Sequence, residues 1–157
     1  MSRTTRATQA LTAAGTVFTV HSYDYDPGAE RVGLQAAEAL GANPAEVLKT
    51  LMILIDGKPA CAVIPSDREL SMKKAAAAFG GKSAQMMKPS DAERATGYVV
   101  GGISPFGQKK RVPTAIEAEA MTLPEVFING GQRGLQVRLA PDDAAKVLEA
   151  IVTPLVA

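Results

Sequence analysis

Short apolar runs with strand chemistry, interleaved with helical stretches, predict an α/β or α+β fold for this chain. Three observations carry that prediction. Residues 48–55 and 59–64 are strand-like runs separated by Asp56-Gly57, a hairpin signature. Helical patterns fall on both sides of that pair, at 34–40, at 71–78 and from Pro141 onward. With 157 residues, 46% of them hydrophobic and 21% charged, the chain can bury a core as one domain spanning 1–157.

The elements follow in order. Residues 3–14 place Ala7, Ala10, Leu11 and Ala14 at helical spacing, and Gly15 suits the position after a helix end. Residues 16–23 alternate around Val17, Phe18 and Val20 as a strand. Asp24-Tyr25-Asp26-Pro27-Gly28 is a loop. The helix at 34–40 stops at Gly41, and Asn43-Pro44 starts another with Asn as cap and Pro at the first helical position. The run 51–55 is apolar on both parities, which predicts a buried strand. Ser71 caps a helix through Ala78 that ends at Gly80-Gly81, and 82–87 is a short strand. Ser90-Asp91-Ala92-Glu93 has capping-box spacing. Residues 98–100, 111–116, 125–129 and 135–139 read as strands, with a turn at 130–134. Pro141-Asp142-Asp143 opens a last helix with Val147, Leu148 and Ile151 on one face. No linker, repeat or low-complexity segment interrupts this order.

Composition excludes several classes. Seventeen basic against 16 acidic residues leave a net charge of +1, so any nucleic-acid affinity must come from local patches. One Cys excludes an internal disulfide and a multi-cysteine zinc site, and one His excludes a two-histidine ligand set. Neither a metal nor a cofactor is expected. No apolar segment reaches the length of a signal peptide or a membrane span, so a cytoplasmic protein without a membrane partner is expected. With no Trp, three Tyr and four Phe, the chain has little material for base-stacking sheets, and DNA is not an expected partner. Gly81-Lys82-Ser83 resembles the end of a phosphate-binding loop. That motif fails, because its first glycine would fall on Ala76 and a helix precedes it.

The most suggestive stretch is 97–111, Gly-Tyr-Val-Val-Gly-Gly-Ile-Ser-Pro-Phe-Gly-Gln-Lys-Lys-Arg. A glycine-rich loop after a strand can aim several N–H groups at one oxyanion or phosphate. The plain alternative is a tight turn with a solvated basic tip. Ser104 can offer its hydroxyl to a ligand or cap its own loop. Lys109, Lys110 and Arg111 can meet phosphates or form a solvated face. Lys49 shares side-chain parity with Leu51, Ile53 and Ile55. It is either an ammonium at a pocket mouth or a strand-end lysine with its head in water. His21 and Cys61 invite catalytic roles, but nothing in the spacing pairs them with a partner, and Cys61 sits where a small buried residue fits.

The 97–111 stretch, Lys49 within Val47-Leu48-Lys49-Thr50-Leu51, and the later Asn129-Gly130-Gly131-Gln132-Arg133-Gly134-Leu135 together resemble the YbaK-type aminoacyl-tRNA deacylases. These are free-standing editing proteins related to the insertion domain of bacterial prolyl-tRNA synthetase. The segments come in the family's order, and the match covers nearly the whole chain. The resemblance implies a mixed, partly closed β-barrel-like sheet surrounded by helices. It implies a functional Lys49 that fixes the 3′-terminal adenosine or its phosphate and stabilises charge at the ester. It implies backbone donors from Gly101 and Gly102, a Tyr23 that lines the substrate end of the pocket, and substrate contacts from Ser104, Asn129 and Gly130. Asn129 stands where relatives often have Ser, which leaves side-chain selectivity open.

The implied activity is hydrolysis in trans of mischarged aminoacyl-tRNA, Cys-tRNA(Pro) first. The substrate's own thiol attacks the ester, which agrees with the lack of an obvious protein nucleophile. The 3′ end of aminoacyl-tRNA and prolyl-tRNA synthetase are the implied partners, with Lys109, Lys110 and Arg111 toward the tRNA. Ala-tRNA(Pro) as substrate, and a non-catalytic nucleotide-, tRNA- or protein-binding module, remain the alternatives.

Overall fold

In the computed structural model, residues 4–27 and 32–157 are described. Gly28 and Arg3 of the expected loop and first helix lie outside them. The architecture is built around the hairpin that the Asp-Gly pair marks. Strand β2 (Leu48–Ile55) and β3 (Lys58–Pro65) pair antiparallel, with Ile53 opposite Ala60. The turn places Asp56 at φ 50° and Gly57 at φ 83°, the left-handed pair that a two-residue hairpin needs.

Among the described residues, five helices and two short 3₁₀ turns accompany the strands. Helix α1 (Arg6–Ala13) is too short to persist alone, and its Thr5 cap plus burial of Ala7 and Leu11 hold it in place. Strand β1 (Thr19–Ser22) leads to α2 (Val32–Leu40) and a 3₁₀ turn at Pro44–Glu46, capped by the Asn43 side chain as expected. After the hairpin, α3 (Met72–Ala78) starts on Ser71, whose hydroxyl accepts the Lys74 N–H. Strand β4 (Ala84–Met86) and α4 (Pro89–Thr96) follow, then β5 (Thr114–Glu117), a 3₁₀ turn at Ala118–Thr122, β6 (Val126–Asn129) and β7 (Leu135–Leu139). A fifth helix, α5 (Pro141–Leu148), and β8 (Ile151–Thr153) complete the chain. No helix among the described residues is long and apolar enough to cross a membrane.

The strands form two sheets. One has the order β4-β2-β3-β5-β8, with β5 parallel to β3 and β8 parallel to β5. The other has the order β1-β7-β6 and is antiparallel. Among the described residues, a single bridge between Val47 and Phe127 joins them, so the barrel is open, in keeping with a partly closed mixed sheet. Leu48, Met52 and Val63 from one sheet pack with Ile128, Val137 and Leu139 from the other, and α1 and α5 close this cluster. The opposite face of the larger sheet carries Ile53, Ile55 and Ile64 against Ala75 of α3 and Leu155. Each fully buried Leu or Ile contributes about 1.5–3 kcal/mol, so these two clusters dominate what holds the sheets together.

Several boundaries differ from expectation. Residues 98–100 are not a strand. Tyr98 N–H bonds to Thr96 Oγ1, Val100 N–H to Glu93 Oε2, and the Val100 carbonyl accepts from Arg133 Nε. Side chains satisfy these backbone groups, and no neighbouring strand is used. The helix at Pro89 starts with Lys88 in the cap position and no side-chain cap, so Ser90 lies inside it and forms no capping box. Helix α5 ends at Leu148 because Glu149 turns left-handed at φ 50°, and Ile151 opens β8 instead of extending the helical face. Strands β1 and β5 begin at Thr19 and Thr114, later than the apolar patterns suggest.

Candidate active site

A cleft of about 300 Å³ opens where the first half of β2 approaches the β6–β7 sheet. Lys49, Gly101 and Asn129 line it together, with Leu48, Val100 and Ile103 supplying apolar wall. Strand β4 pairs only with Ile53–Ile55, so the half of β2 that lines the cleft has no strand on that side. Lys49 is half-buried at the start of β2, opposite Ile64. Its parity partners Ile53 and Ile55 face the α3 side of the sheet, away from the space between the sheets. Lys49 therefore reaches the cleft from the strand's end, and the barrel interior is not its route.

The 100–102 loop is held by the turn after β6. Asn129 Nδ2 donates to the Gly101 carbonyl (3.2 Å), and Asn129 Oδ1 accepts from the N–H groups of Gly131 and Gln132. Arg133 Nε donates to the Val100 carbonyl (2.9 Å), and its guanidinium lies 5.4 Å from the Tyr25 ring centre. Gly101 sits at φ 92°, and a Cβ there would stand 2.6 Å from Tyr25 Oη. A Cβ on Gly102 would lie 2.8 Å from the Arg133 backbone nitrogen. Both positions need glycine because another backbone or side chain passes too close for anything larger.

The two glycines differ in what they offer. Gly102 N–H is committed to the Val99 carbonyl (2.8 Å), which corrects the expectation that it points at a ligand. Gly101 N–H has no acceptor among the described residues, and Gly101 lines the cleft. Ser104 is fully buried, accepts the Phe106 N–H on its hydroxyl and does not line the cleft; it caps its own loop. Gly130 is buried beneath the turn, donating to the Leu135 carbonyl. Lys109, Lys110 and Arg111 are exposed and lie outside the cleft lining, with Arg111 3.5 Å from Glu149.

Tyr23 is buried beside Gln136 and is not among the residues that line the cleft. Burial pushes its phenol above the ordinary range, and the Gln136 amide pulls the other way. Among the described residues, its Oη nevertheless falls outside hydrogen-bond geometry with any group. Cys61 is fully buried and its thiol is pushed up to about 12 by desolvation, which makes it inert at neutral pH. His21 bonds to Thr19 Oγ1 and packs edge-on against Phe127, which belongs to a different apolar cluster from Cys61. Neither residue lines the cleft.

Sequence reasoning missed Gln136, Thr50 and Arg133. Gln136 alternates with Leu135 and Val137, a pattern identical to a strand with a solvated face. Only the β1 and β6 neighbours bury it. Arg133 was visible only as part of a glycine-rich turn.

The arrangement of the two sheets is that of a known editing fold. A solved structure described as a candidate trans-editing enzyme for prolyl-tRNA synthetase superposes with a TM-score of 0.85 at 24% identity, over 97% of this chain and 95% of that one. A sequence model of the aminoacyl-tRNA editing domain matches residues 27–147, which include Lys49, the 97–111 loop and Gln136 but not Tyr23. The chain belongs to the aminoacyl-tRNA editing domain family. A candidate Cys-tRNA(Pro)/Cys-tRNA(Cys) deacylase of Enterococcus faecalis, EbsC, is 42% identical over 108 residues, covering 68% of this chain and 65% of that protein. A proline–tRNA ligase of Acidithiobacillus ferrooxidans is 34% identical over 95 residues, 60% of this chain but 16% of the ligase.

Proposed function

We propose that the protein removes wrongly attached amino acids from tRNA in trans, acting on Cys-tRNA(Pro). The observation that carries this reading is the cleft where a half-buried ammonium, an unused backbone N–H and a glycine-dependent loop converge. Lys49 supplies positive charge near the ester, and Gly101 N–H is the donor for the aminoacyl carbonyl oxygen as negative charge develops on it. Gly102 contributes by letting the loop pack on Arg133. No protein nucleophile is needed. The substrate's thiol sulfur bonds to its own carbonyl carbon, the ester C–O bond breaks, and the thiol proton passes to the departing ribose oxygen. A cyclic thioester and free tRNA result. Holding thiol and carbonyl in line is the orientation term of catalysis, which can reach about 7–11 kcal/mol in well-ordered systems.

Prolyl-tRNA synthetase is the partner that fits, since its own sequence carries a related segment. A net charge of +1 suits a protein that meets tRNA beside another protein in the cytoplasm. Lys109 and Lys110, exposed beside the loop, are the proposed phosphate contacts. The test is deacylation of Cys-, Ala- and Pro-charged tRNA(Pro) by the purified chain. Turnover of the cysteinyl ester above the others supports the reading. Preference for alanine assigns the pocket to the smaller side chain, and no turnover on any of the three leaves a binding module.

A further inference from the structure

Five polar side chains line the cleft, and two of them are left with an unused polar atom. Asn129 is spent on the Gly101 carbonyl and on two turn N–H groups. The Ser66 hydroxyl is spent on the Val47 carbonyl. Lys49 is a donor only. That leaves Gln136, 3% exposed, and Thr50. Among the described residues, Gln136 Oε1 and Thr50 Oγ1 are both buried with no hydrogen-bond partner, and the neighbouring Tyr23 Oη is out of hydrogen-bond geometry with either. Buried polar atoms are almost always paired in native proteins. Gln136 Oε1 can only accept and the Thr50 hydroxyl can accept or donate, so a donating group on a ligand suits both. Gln136 lies on the middle strand of its sheet, opposite His21 on β1 and Asn129 on β6.

Resting on the deacylase reading above, we propose that Gln136 Oε1, assisted by Thr50 Oγ1, accepts hydrogen bonds from the α-amino group of the aminoacyl ester. The ester itself has only acceptors, and Lys49 and Gly101 N–H serve those. The α-amino group is two bonds from the carbonyl carbon, and it is the donor that every aminoacyl ester carries. Among the described residues, no carboxylate lines the cleft to compete for it. The cleft thereby recognises an aminoacyl group as such, whatever its side chain, and Gln136 is a specificity determinant.

The experiment compares cysteinyl-tRNA(Pro) with 3-mercaptopropionyl-tRNA(Pro), which keeps the thiol and lacks only the α-amino group. Wild-type protein should favour the cysteinyl ester by about tenfold or more in kcat/KM, the size of one neutral hydrogen bond. Gln136→Leu should bring the two esters within about twofold by slowing the cysteinyl ester alone. Gln136→Glu, which keeps shape and acceptor, should retain the preference. Equal wild-type rates, or an unchanged preference in Gln136→Leu, would overturn the proposal. Affinity for the paired non-hydrolysable 3′-amides of adenosine, cysteinyl and 3-mercaptopropionyl, gives the same comparison without turnover. If wild-type protein cleaves neither ester, the deacylase reading fails. The amide pair still decides Gln136: a tenfold preference lost in Gln136→Leu upholds the contact, and no preference removes it.

Discussion

At the residue scale the chemistry rests on one ammonium. Lys49→Ala should lower the single-turnover deacylation rate by at least about 10²-fold, the scale of losing one electrostatic stabiliser, while the thermal midpoint stays close to wild type. The side chain is half-buried at a strand end, so its loss leaves no deep cavity. Lys49→Arg should also be slow, because a planar fork does not replace a compact point charge. Activity within a few-fold of wild type in Lys49→Ala would remove this residue from the mechanism. Cys61→Ala and His21→Ala should each keep most activity. A thiol that burial pushes up to about 12 stays protonated at neutral pH. Abolished turnover in a folded Cys61→Ala or His21→Ala variant would demand a protein nucleophile or base.

At the scale of elements, the site is a loop held by a turn. The 100–102 segment hangs on side-chain bonds from Glu93, Asn129 and Arg133, and on backbone contact at Gly102. Gly101→Ala places a Cβ against Tyr25 Oη and forces φ 92° on an alanine, so the rate should fall about 10²–10³-fold with tRNA affinity nearly kept. Arg133→Ala frees the Val100 carbonyl without touching the cleft lining. It should lower kcat about tenfold and leave KM and the thermal midpoint near wild type, the signature of a positioning residue. Lys109→Ala and Lys110→Ala should do the reverse, weakening tRNA binding in a salt-dependent way because phosphate contacts release counterions. Measuring rate and affinity for these variants at two salt concentrations separates the two sets. If the Gly101 variant binds poorly but reacts normally, the loop docks tRNA and the carbonyl is held elsewhere.

At the scale of the whole molecule, one buried carboxylate ties the chain's last segment to the sheet. Glu117, at the end of β5, accepts from the N–H groups of Leu155 (2.7 Å), Val156 (3.0 Å) and Glu119 (2.9 Å). Burial pushes its pKa up, but these donors outweigh it and hold the carboxyl below its ordinary value. A depressed folded pKa means the stabilisation is complete above the unfolded pKa, about 4.3, and is lost as pH falls through the folded one. Glu117→Gln should therefore cost about 1–3 kcal/mol at pH 7, and its deficit should shrink below about pH 4. Urea unfolding of both proteins from pH 3 to 7 checks this. A deficit independent of pH would show that shape, not charge, holds the segment.

Local rules settle what the sequence alone determined. The Asp56-Gly57 hairpin, the Ser71 and Asn43 caps and the mixed α/β class depend on residues within a few positions of one another. Lys49 and the 97–111 loop were legible as candidates through their resemblance to the editing family's motifs, since on local chemistry alone a strand-end lysine and a glycine-rich turn also read as plain surface features. Tertiary structure decided the rest. Whether 98–100 became a strand depended on which groups came to meet it, and Glu93 and Arg133 arrived in place of a neighbouring strand. Which glycine offers an N–H depended on a turn bond to Val99, and β8 formed because β5 lay ready to pair with it. Gln136 looks like any polar residue on an alternating strand until β1 and β6 bury it on both sides. Alternation records that a side chain leaves one face of a strand, but only the assembled sheets determine whether that face meets water or a closed cleft.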